Sequence, residues 1–229
     1  MNVSVIVPCY NEEKTIKKII LTVKKHLNKD DEIIVIDDCS TDNTQSILKT
    51  DLKDIVSKLI LNEKNYGKGY SIRRGVNFVN CDIIIIQDAD LEYHPDDYEK
   101  LLKPIKNDLA DVVYGSRFIG SQEKRVLYFW HTLGNRFLTL LSNVCSNLNL
   151  TDMEVGYKVF KSDVLKNIKL KENRFGFEPE ITAKIAKKNL RIYEVGVKYF
   201  GRKYIDGKKI TWRDGLSAIR CILYYNIFK

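Results

Sequence analysis

The sequence predicts an α/β fold with a mostly parallel central sheet flanked by helices. Across residues 1–117, short apolar runs alternate with segments whose apolar residues recur at helical spacing, the order expected of strands joined by helical crossovers. The clearest strand is the isoleucine run Ile83–Ile86, because an uninterrupted apolar run is typical of a central strand buried on both faces. Three carboxylates, Asp88, Asp90 and Glu92, follow this strand.

The remaining elements are predicted in chain order. Further strands are expected at Val3–Val7, Glu32–Ile36, Val56–Leu61, Val112–Tyr114, Met153–Phe160 and Arg191–Tyr199. Helices are expected at Ile16–Leu27, after Asp42, at Ile72–Val79, Pro95–Lys103, Trp130–Leu148, Glu178–Asn189 and Trp212–Phe228. Pro95 suits a first helical turn, and Pro104 is expected to end the same helix.

Polar side chains follow four of these strands. Ligands of open α/β sheets bind beyond the carboxyl ends of the strands, so polar residues at several such ends predict one shared site. The residues concerned are Tyr10, Asn11 and Glu12, then Asp37 and Asp38, then Asp88, Asp90 and Glu92, and finally Arg117.

Asp88, Asp90 and Glu92 predict a divalent-cation site. Carboxylates held close together raise one another's pKa, so a cation is needed to keep all three ionised. Carboxylate oxygens suit Mg²⁺ or Mn²⁺, which commonly bridges to the phosphates of a substrate. The competing interpretation is a solvated acidic turn that caps the helix beginning near Pro95.

A glycine-bracketed segment, Asn65–Tyr70, precedes another predicted helix. Glycines at a strand-to-helix junction let backbone N–H groups approach an anion, and Lys68 adds a positive charge there. The spacing is not that of a P-loop, so the segment supports phosphate binding only together with the other strand ends.

Positive charge is concentrated in the second half of the chain. Residues 1–119 contain 17 Lys or Arg and 20 Asp or Glu, whereas residues 120–229 contain 21 and 10. An anionic partner is therefore expected for the second half, and a phosphorylated substrate, an anionic membrane and nucleic acid all qualify. A lysine-rich surface without a partner explains the same charge. Because no groove-reading motif is present, a nucleic-acid partner is not expected.

Cysteine and hydropathy patterns predict a cytoplasmic protein. The five cysteines form no Cys-x-x-Cys pair and follow no secretory signal, which favours a reduced compartment. No run of about 18 apolar residues exists, so no membrane span is expected. The last predicted helix has an apolar stripe, for which core packing is the first interpretation and a membrane interface the second. The stripe consists of Trp212, Leu216, Ile219, Leu223 and Ile227.

Five motifs together resemble glycosyltransferase family 2 in order and spacing. They are Val5-Ile-Val-Pro-Cys-Tyr-Asn-Glu-Glu, Ile36-Asp-Asp-Cys-Ser-Thr-Asp, Asn65-Tyr-Gly-Lys-Gly, Gln87-Asp-Ala-Asp-Leu-Glu and Gly115-Ser-Arg-Phe. The second half resembles the branch of dolichyl-phosphate mannose synthases and other polyprenyl-phosphate glycosyltransferases. That likeness is carried by Thr151-Asp-Met-Glu-Val-Gly-Tyr-Lys-Val-Phe, Phe175-Gly-Phe-Glu-Pro-Glu and the loop from Gly201 to Trp212.

The resemblance implies a GT-A fold, a Rossmann-like sheet followed by C-terminal amphipathic helices, in a single domain over residues 1–229. Residues 1–117 would bind the nucleotide sugar. Residues 118–229 would bind the acceptor and carry helices suited to a membrane interface. The implied reaction is inverting transfer of a hexose from a nucleotide-diphospho-sugar, of the UDP-glucose or GDP-mannose type, to a polyprenyl phosphate.

The resemblance also implies roles for individual residues. The nucleoside would contact Pro8, Tyr10, Asn11, Glu12 and Asp38, and Lys68, Gln87 and Asp88 would add to substrate binding. Mg²⁺ or Mn²⁺ on the diphosphate would be held by Asp88, Asp90 and Glu92, although relatives often have Gln at the third position. The phosphates of acceptor and donor would meet Arg117, Arg136, Arg202 and Lys208, and the catalytic set would be Asp90, Arg117 and Arg202. Arg125 competes with Arg136, because the segment between Phe118 and Trp130 varies in length.

The chemistry of a lipid phosphate agrees with these roles. A phosphate monoester is already anionic near neutral pH and needs no base before it attacks the sugar. The protein then has to align the nucleophile, gather cations around the phosphates and let the metal stabilise the departing diphosphate. A hydroxyl acceptor would instead need a base, and Asp152 or Glu154 is available for that role. Transfer to the hydroxyl of a soluble or lipid-linked glycan is therefore the alternative.

A polyprenyl acceptor implies contact with a membrane, because its tail stays in the bilayer. We expect peripheral association with the cytosolic membrane face through the last helix and the segment around Trp130. Many bacterial relatives carry two spanning helices after the catalytic domain, and this sequence shows none. A membrane-spanning partner subunit is the alternative anchor.

Overall fold

Strands and helices alternate along the first half of the protein, as its apolar pattern predicts. The computed structural model describes residues 1–120, 125–126, 128–202 and 212–228. Within them, the strands are β1 (Val3–Cys9), β2 (Glu32–Asp37), β3 (Lys58–Leu61), β4 (Ile83–Ile86), β5 (Val112–Ser116), β6 (Lys158–Lys161) and β7 (Ile192–Gly196). The helices are α1 (Ile16–Lys25), α2 (Thr44–Lys49), α3 (Lys68–Val76), α4 (Tyr98–Lys106), α5 (Phe129–Ser146), α6 (Ser162–Lys166), α7 (Phe177–Ala186) and α8 (Trp212–Leu223). A 3₁₀ turn at Pro95–Asp97 precedes α4, and a π-helical turn at Tyr224–Phe228 follows α8.

These strands form one sheet in the order β3-β2-β1-β4-β6-β5-β7. The pairs β1–β2, β1–β4, β2–β3 and β5–β7 are parallel, whereas β6 runs antiparallel between β4 and β5. The predicted α/β fold with a mostly parallel sheet is confirmed. Because β6 and β7 come from the second half of the chain, both halves contribute to the same sheet.

The centre of the sheet is fully buried. Every residue of β1 and β4 is buried, as expected of strands covered on both faces. The register pairs Val3 with Ile83 and Ile6 with Ile86, so these two parallel strands end near each other. The loops that carry Tyr10 and Asp88 therefore leave the sheet at the same edge.

The helix predicted at Pro95–Lys103 differs at both ends. Pro95 opens a 3₁₀ turn, and α4 continues through Pro104 to Lys106. Proline removes one backbone donor from a helix, and we expected it to end this one. Four residues of α4 are buried in the core, and this packing sustains the helix past the proline.

The strand predicted at Met153–Phe160 is shorter, since β6 begins only at Lys158. The preceding residues form turns that bring Gly156 against the acidic loop after β4. A Cβ atom at Gly156 would lie 2.1 Å from Asp88 Oδ2. The backbone at residue 156 therefore approaches this carboxylate so closely that only glycine fits. Strand pairing in β6 begins after this position, at Lys158.

Helix α5 turns an apolar face outward. It packs against α7 and α8, and its buried residues are the polar Thr139 and Ser142. The exposed apolar residues of α5 are Phe129, Trp130, Leu133, Phe137, Leu140 and Val144.

Part of the apolar stripe of the last predicted helix, which was expected to pack in the core, also faces outward. The residues that are buried instead are Ala218, Cys221, Ile222 and Tyr225. The exposed residues of the predicted stripe are Leu216, Leu223 and Ile227. The core interpretation of that stripe is wrong for these three residues, because α8 has two apolar faces and packs through the other one. No helix in the described part of the chain is long and apolar enough to cross a membrane.

Candidate active site

The loop after β1 is bound to the loop after β2. Asn11 adopts a left-handed backbone conformation with φ of 52°, which asparagine tolerates better than most residues. Its N–H donates to Ser40 Oγ at 2.9 Å, and its Oδ1 accepts from the Thr41 N–H at 2.8 Å. Pro8 and Tyr10 precede this link, so the predicted nucleoside-binding residues stand beside the end of β2.

Asp38 organises the glycine-bracketed segment. Its Oδ1 accepts from Asn62 Nδ2 at 2.7 Å and from the Tyr66 N–H at 3.0 Å, and its Oδ2 accepts from the Gly67 N–H at 2.7 Å. Asp38 is buried. The carboxylate predicted to bind the nucleoside therefore also fixes the segment that leads into α3.

Lys68, the first residue of α3, joins two carboxylates across the site. Its Nζ lies 2.8 Å from Asp88 Oδ1 and 3.1 Å from Glu178 Oε1. Burial would lower the lysine pKa, but the two negative charges outweigh it and raise the pKa above its usual value. Lys68 thus remains a cation beside Asp88, as its predicted role requires. Glu178, at the start of α7, was not among the predicted site residues.

Gln87 is enclosed in the core at the start of the acidic loop. It is 0% exposed. Its Oε1 accepts from the hydroxyls of Tyr98 and Tyr157 at 2.8 and 2.7 Å, and its Nε2 donates to the Asp88 carbonyl at 2.9 Å. Gln87 thus shapes the acidic loop from inside the core, and its contact with substrate stays a prediction.

Asp90 and Glu12 meet on the guanidinium group of Arg202. Nη2 of Arg202 lies 3.0 Å from Asp90 Oδ2, and Nη1 lies 3.2 Å from Glu12 Oε2. Burial, together with the charges of Asp88 and Glu92, raises the pKa of Asp90 to about 7 despite Arg202. This carboxyl therefore ionises less readily than an exposed aspartate.

Glu92 holds the chain that carries Arg202. Its Oε1 accepts from the Arg202 backbone N–H at 2.7 Å, and its Oε2 accepts from the Tyr199 hydroxyl at 3.1 Å. In the described residues, no group of three or more His, Cys, Asp or Glu side chains is arranged to hold a metal ion. Asp88, Asp90 and Glu92 share one loop, but each has a separate cationic or hydrogen-bonding partner.

Arg117 is clamped by Asp152. Two of its guanidinium nitrogens, Nε and Nη2, contact the carboxylate of Asp152, which is 0% exposed. The Arg117 backbone N–H also donates to Asp152 Oδ2 at 3.0 Å. Nη1 takes no part in this contact, so Arg117 keeps donor groups for an anion. Both oxygens of Asp152 are engaged, which argues against its use as a base.

Phe118 brings Arg136 close to Arg117. The guanidinium carbons of Arg117 and Arg136 lie 5.8 and 5.6 Å from the centre of its ring. Arg125 donates from Nη1 to the Gly201 carbonyl at 3.2 Å, beside Arg202. Both competing arginines therefore border the site. Lys208 lies outside the described residues.

Two further buried titratable groups, Glu154 and Lys158, have pKa values shifted toward neutrality. Burial, followed by the charge of Glu178, raises the pKa of Glu154 to about 8. Burial lowers the pKa of the fully buried Lys158 to about 8, and its Nζ donates to the Met153 and Val155 carbonyls. Glu154 Oε1 and Glu178 Oε2 have no hydrogen-bond partner among the described residues.

A model of glycosyl transferase family 2 matches residues 4–169. The match includes every site residue described above except Glu178, Tyr199, Gly201, Arg202 and Lys208. The chain belongs to glycosyl transferase family 2.

Curated relatives extend the similarity beyond residue 169. A protein of Methanococcus voltae named UDP-N-acetylglucosamine–dolichyl-phosphate N-acetylglucosaminyltransferase is 32% identical over 218 residues, covering 87% of this chain and 86% of that protein. The dolichol-phosphate mannosyltransferase of Pyrococcus furiosus is 26% identical over 217 residues, covering 92% of this chain and 61% of that protein. Both matches are long enough to include most of the acceptor-binding half predicted from sequence.

Solved structures agree on the fold. Glucosyl-3-phosphoglycerate synthase from Mycobacterium tuberculosis, crystallised with Mn²⁺ and uridine-diphosphate-glucose, superposes with a TM-score of 0.78 at 18% identity. The match covers 98% of this chain and 79% of that one. The predicted GT-A fold is confirmed, and the family 2 chain is a glycosyltransferase.

The sequence did not predict the contacts that three residues make in this site. Glu178 holds Lys68, Asp152 holds Arg117, and Gly156 makes room for Asp88. Each lies in a motif that carried the family resemblance, which was the available signal. Their partners lie far away along the chain, so no local pattern could assign the contacts.

Proposed function

We propose that this protein transfers a hexose from a nucleotide-diphospho-sugar to a polyprenyl phosphate of the dolichyl type, with inversion at the anomeric carbon. The observation that carries the proposal is the contact between the acidic loop after β4 and Arg202, 3.0 Å from Asp90. It brings groups suited to a metal-bound diphosphate next to a cation suited to a phosphate nucleophile. The relatives named for dolichyl-phosphate substrates support the choice of acceptor.

A divalent cation fits Asp88 and Asp90. Both offer carboxylate oxygens, which Mg²⁺ and Mn²⁺ prefer, and the raised pKa of Asp90 reflects burial among negative charges. Such ions are commonly bound through one or two carboxylates plus substrate phosphates. When bound, the ion would supply Lewis-acid stabilisation of the departing diphosphate. We assign Glu92 to anchoring the Arg202 backbone instead of to the metal, because its two oxygens already accept hydrogen bonds there.

Arg117, Arg136 and Arg202 form the proposed acceptor-phosphate site. Arg117 and Arg136 share the Phe118 ring, and Arg117 is oriented by Asp152. A guanidinium group offers several donors in a fixed plane, which suits the oxygens of a phosphate. These cations would align the nucleophile with the sugar without a proton transfer.

The outward apolar faces of α5 and of α8 with the π-helical turn that follows it support peripheral association with the cytosolic membrane face. Trp130 is 76% exposed and Phe228 is 72% exposed. Exposed aromatic and aliphatic residues on neighbouring helices suit the boundary between headgroups and acyl chains. We propose that these two helices bring the site to the lipid that carries the acceptor.

A second candidate function keeps the same donor and replaces the acceptor by a glycan hydroxyl. It is favoured by Glu154, whose Oε1 has no hydrogen-bond partner among the described residues and whose raised pKa makes its ionised form a stronger base than an ordinary carboxylate. Transfer assays separate the two candidates. We would offer radiolabelled UDP-glucose, UDP-N-acetylglucosamine or GDP-mannose together with dolichyl phosphate or a soluble glycan. Label in the lipid phase only is the expected result, and label only in the glycan would overturn the proposal.

A further inference from the structure

Arg202 is held by carboxylates on three sides. Besides the Nη2 contact with Asp90, Nη1 and Nη2 lie 3.2 and 3.3 Å from the two carboxylate oxygens of Glu12. Its backbone N–H donates to Glu92 at 2.7 Å. The side chain is only 19% exposed. The positive charge of Arg202 thus neutralises the same loop that we assign to the metal.

The backbone and the guanidinium group of Arg202 have different principal partners. Glu92 accepts from the Arg202 N–H through its side chain and from the Phe200 N–H at 2.9 Å through its carbonyl. The guanidinium group is held mainly by Glu12 and Asp90, and its Nε lies at a longer distance of 3.9 Å from Glu92 Oε1. Side-chain torsions alone can therefore carry the guanidinium group away while the backbone stays anchored.

A divalent cation on Asp90 and the guanidinium group in this position exclude each other. Both require the same carboxylate, and their like charges repel at short distance inside a partly buried site. Arg202 bound to Glu12 and Asp90 also has fewer donors left for a phosphate. The two predicted tasks of the site, holding a metal and meeting an acceptor phosphate, are thus linked through one side chain.

We propose that Arg202 and the divalent cation compete for Asp90, so that arrival of the metal-bound donor releases Arg202 toward the phosphates. This inference rests on the proposed function. Linkage then requires a reciprocal effect: the metal-bound donor raises the affinity for the acceptor phosphate, and the acceptor raises the affinity for the donor.

The competition predicts a gain of metal affinity from the loss of a positive side chain. We would titrate the purified protein with Mn²⁺ alone and follow free Mn²⁺ by electron paramagnetic resonance. Arg202→Gln and Arg202→Met, two independent neutral replacements, should each bind Mn²⁺ about tenfold more tightly than wild type, which corresponds to about 1.4 kcal/mol. Arg202→Lys keeps the charge and should stay close to wild type.

Arg191→Gln is the matched control. Arg191 also pairs with two carboxylates, because its Nη2 lies 2.9 Å from both Asp108 and Asp111. Neither aspartate belongs to the proposed site. Its loss changes the net charge equally and should leave Mn²⁺ affinity unchanged. Thermal unfolding of every variant checks that the fold is retained.

Unchanged or weaker Mn²⁺ binding in both neutral variants would overturn the competition. An equal gain in Arg191→Gln would overturn it too, because a general charge effect would then explain the result. The proposed function is judged separately by sugar transfer in wild type with and without chelator. Metal-dependent transfer with unaltered Mn²⁺ affinity in the variants removes only this inference, whereas metal-independent transfer removes the metal assignment on which it rests.

Discussion

Arg117 and Asp152 form a two-point ion pair, with Nε 2.7 Å from Oδ2 and Nη2 2.6 Å from Oδ1. The pair ties the end of β5 to the turn that precedes β6. Asp152 is completely buried, and Arg117 is largely so. A buried pair of this kind orients the arginine, and it leaves Asp152 no free oxygen with which to accept a proton from a substrate.

Replacing both partners of this ion pair together should destabilise the protein less than the sum of the two single losses would suggest. Asp152→Asn leaves the Arg117 charge buried without its counter-charge, and about 3–5 kcal/mol of unfolding free energy should be lost. Arg117→Met alone should cost a similar amount, while the double variant should cost clearly less than the sum. Urea unfolding measures the cycle. The pair Arg191–Asp111, whose arginine is exposed, is the control and should show a clearly smaller coupling. Additive losses at Arg117 and Asp152 would contradict the orienting role of the buried pair.

Gly156→Ala should displace Asp88. The added Cβ would lie 2.1 Å from Asp88 Oδ2 and 2.9 Å from Tyr93 Cε2, so one of these groups must move. We expect at least a tenfold loss of transfer and about 1–3 kcal/mol of lost stability. Gly134→Ala in α5 is the control, because nothing described lies within 4 Å of its Cβ. That helical substitution should stabilise the protein by up to about 1 kcal/mol and preserve transfer.

Asp90→Ala should abolish transfer and leave the fold intact. Its carboxylate lies in a loop among like charges, so its removal relieves repulsion while the proposed metal loses a ligand. We expect a loss of at least about 10²-fold in turnover, with the unfolding free energy unchanged within about 0.5 kcal/mol. Asp54→Ala, at an exposed aspartate outside the site, is the control. Normal turnover of Asp90→Ala at saturating Mn²⁺ would contradict the metal assignment.

Glu154→Gln should stabilise the protein increasingly as the pH rises. Burial and the charge of Glu178 raise the pKa of Glu154 from 4.5 to about 8 in the folded protein. Ionisation is therefore disfavoured in the folded state, and its cost grows from about pH 4.5 and is complete above about pH 8. Glutamine avoids that cost, so the stability gain should grow across this interval and then level off. Urea unfolding at several pH values tests this, with the exposed Glu99→Gln as a control without such a trend.

Trp130→Ser and Phe228→Ser should weaken membrane binding. Both side chains lie on the exposed apolar faces of the C-terminal helices, whereas the Trp212 side chain lies outside the described part of the structure. Flotation with anionic liposomes should show binding that falls with added salt and falls further in each variant. Leu109→Ser, at another exposed apolar residue that is 50% accessible, should bind like wild type. Failure of wild type to float at low salt would favour a membrane-spanning partner subunit.

The sequence by itself determined the sheet and the edge at which the site lies. The apolar run Ile83–Ile86 forms the buried strand β4, and its parallel register with β1 puts their polar loops at one edge. This outcome is local in origin. Burial on both faces demands continuous apolar residues, and the direction of a parallel strand decides where the following side chains emerge.

Only the tertiary structure decided which polar groups meet and which apolar faces stay outside. Arg202 contacts Glu12 across 190 residues of chain, and Gln87 is enclosed by the hydroxyls of Tyr98 and Tyr157. The apolar stripe containing Leu216 faces outward because another face of α8 packs inward. Helical periodicity is the same for an inner and an outer apolar face, and a distant ion pair leaves no trace in local spacing. These choices follow from how the layers pack, which links residues that the chain itself keeps far apart.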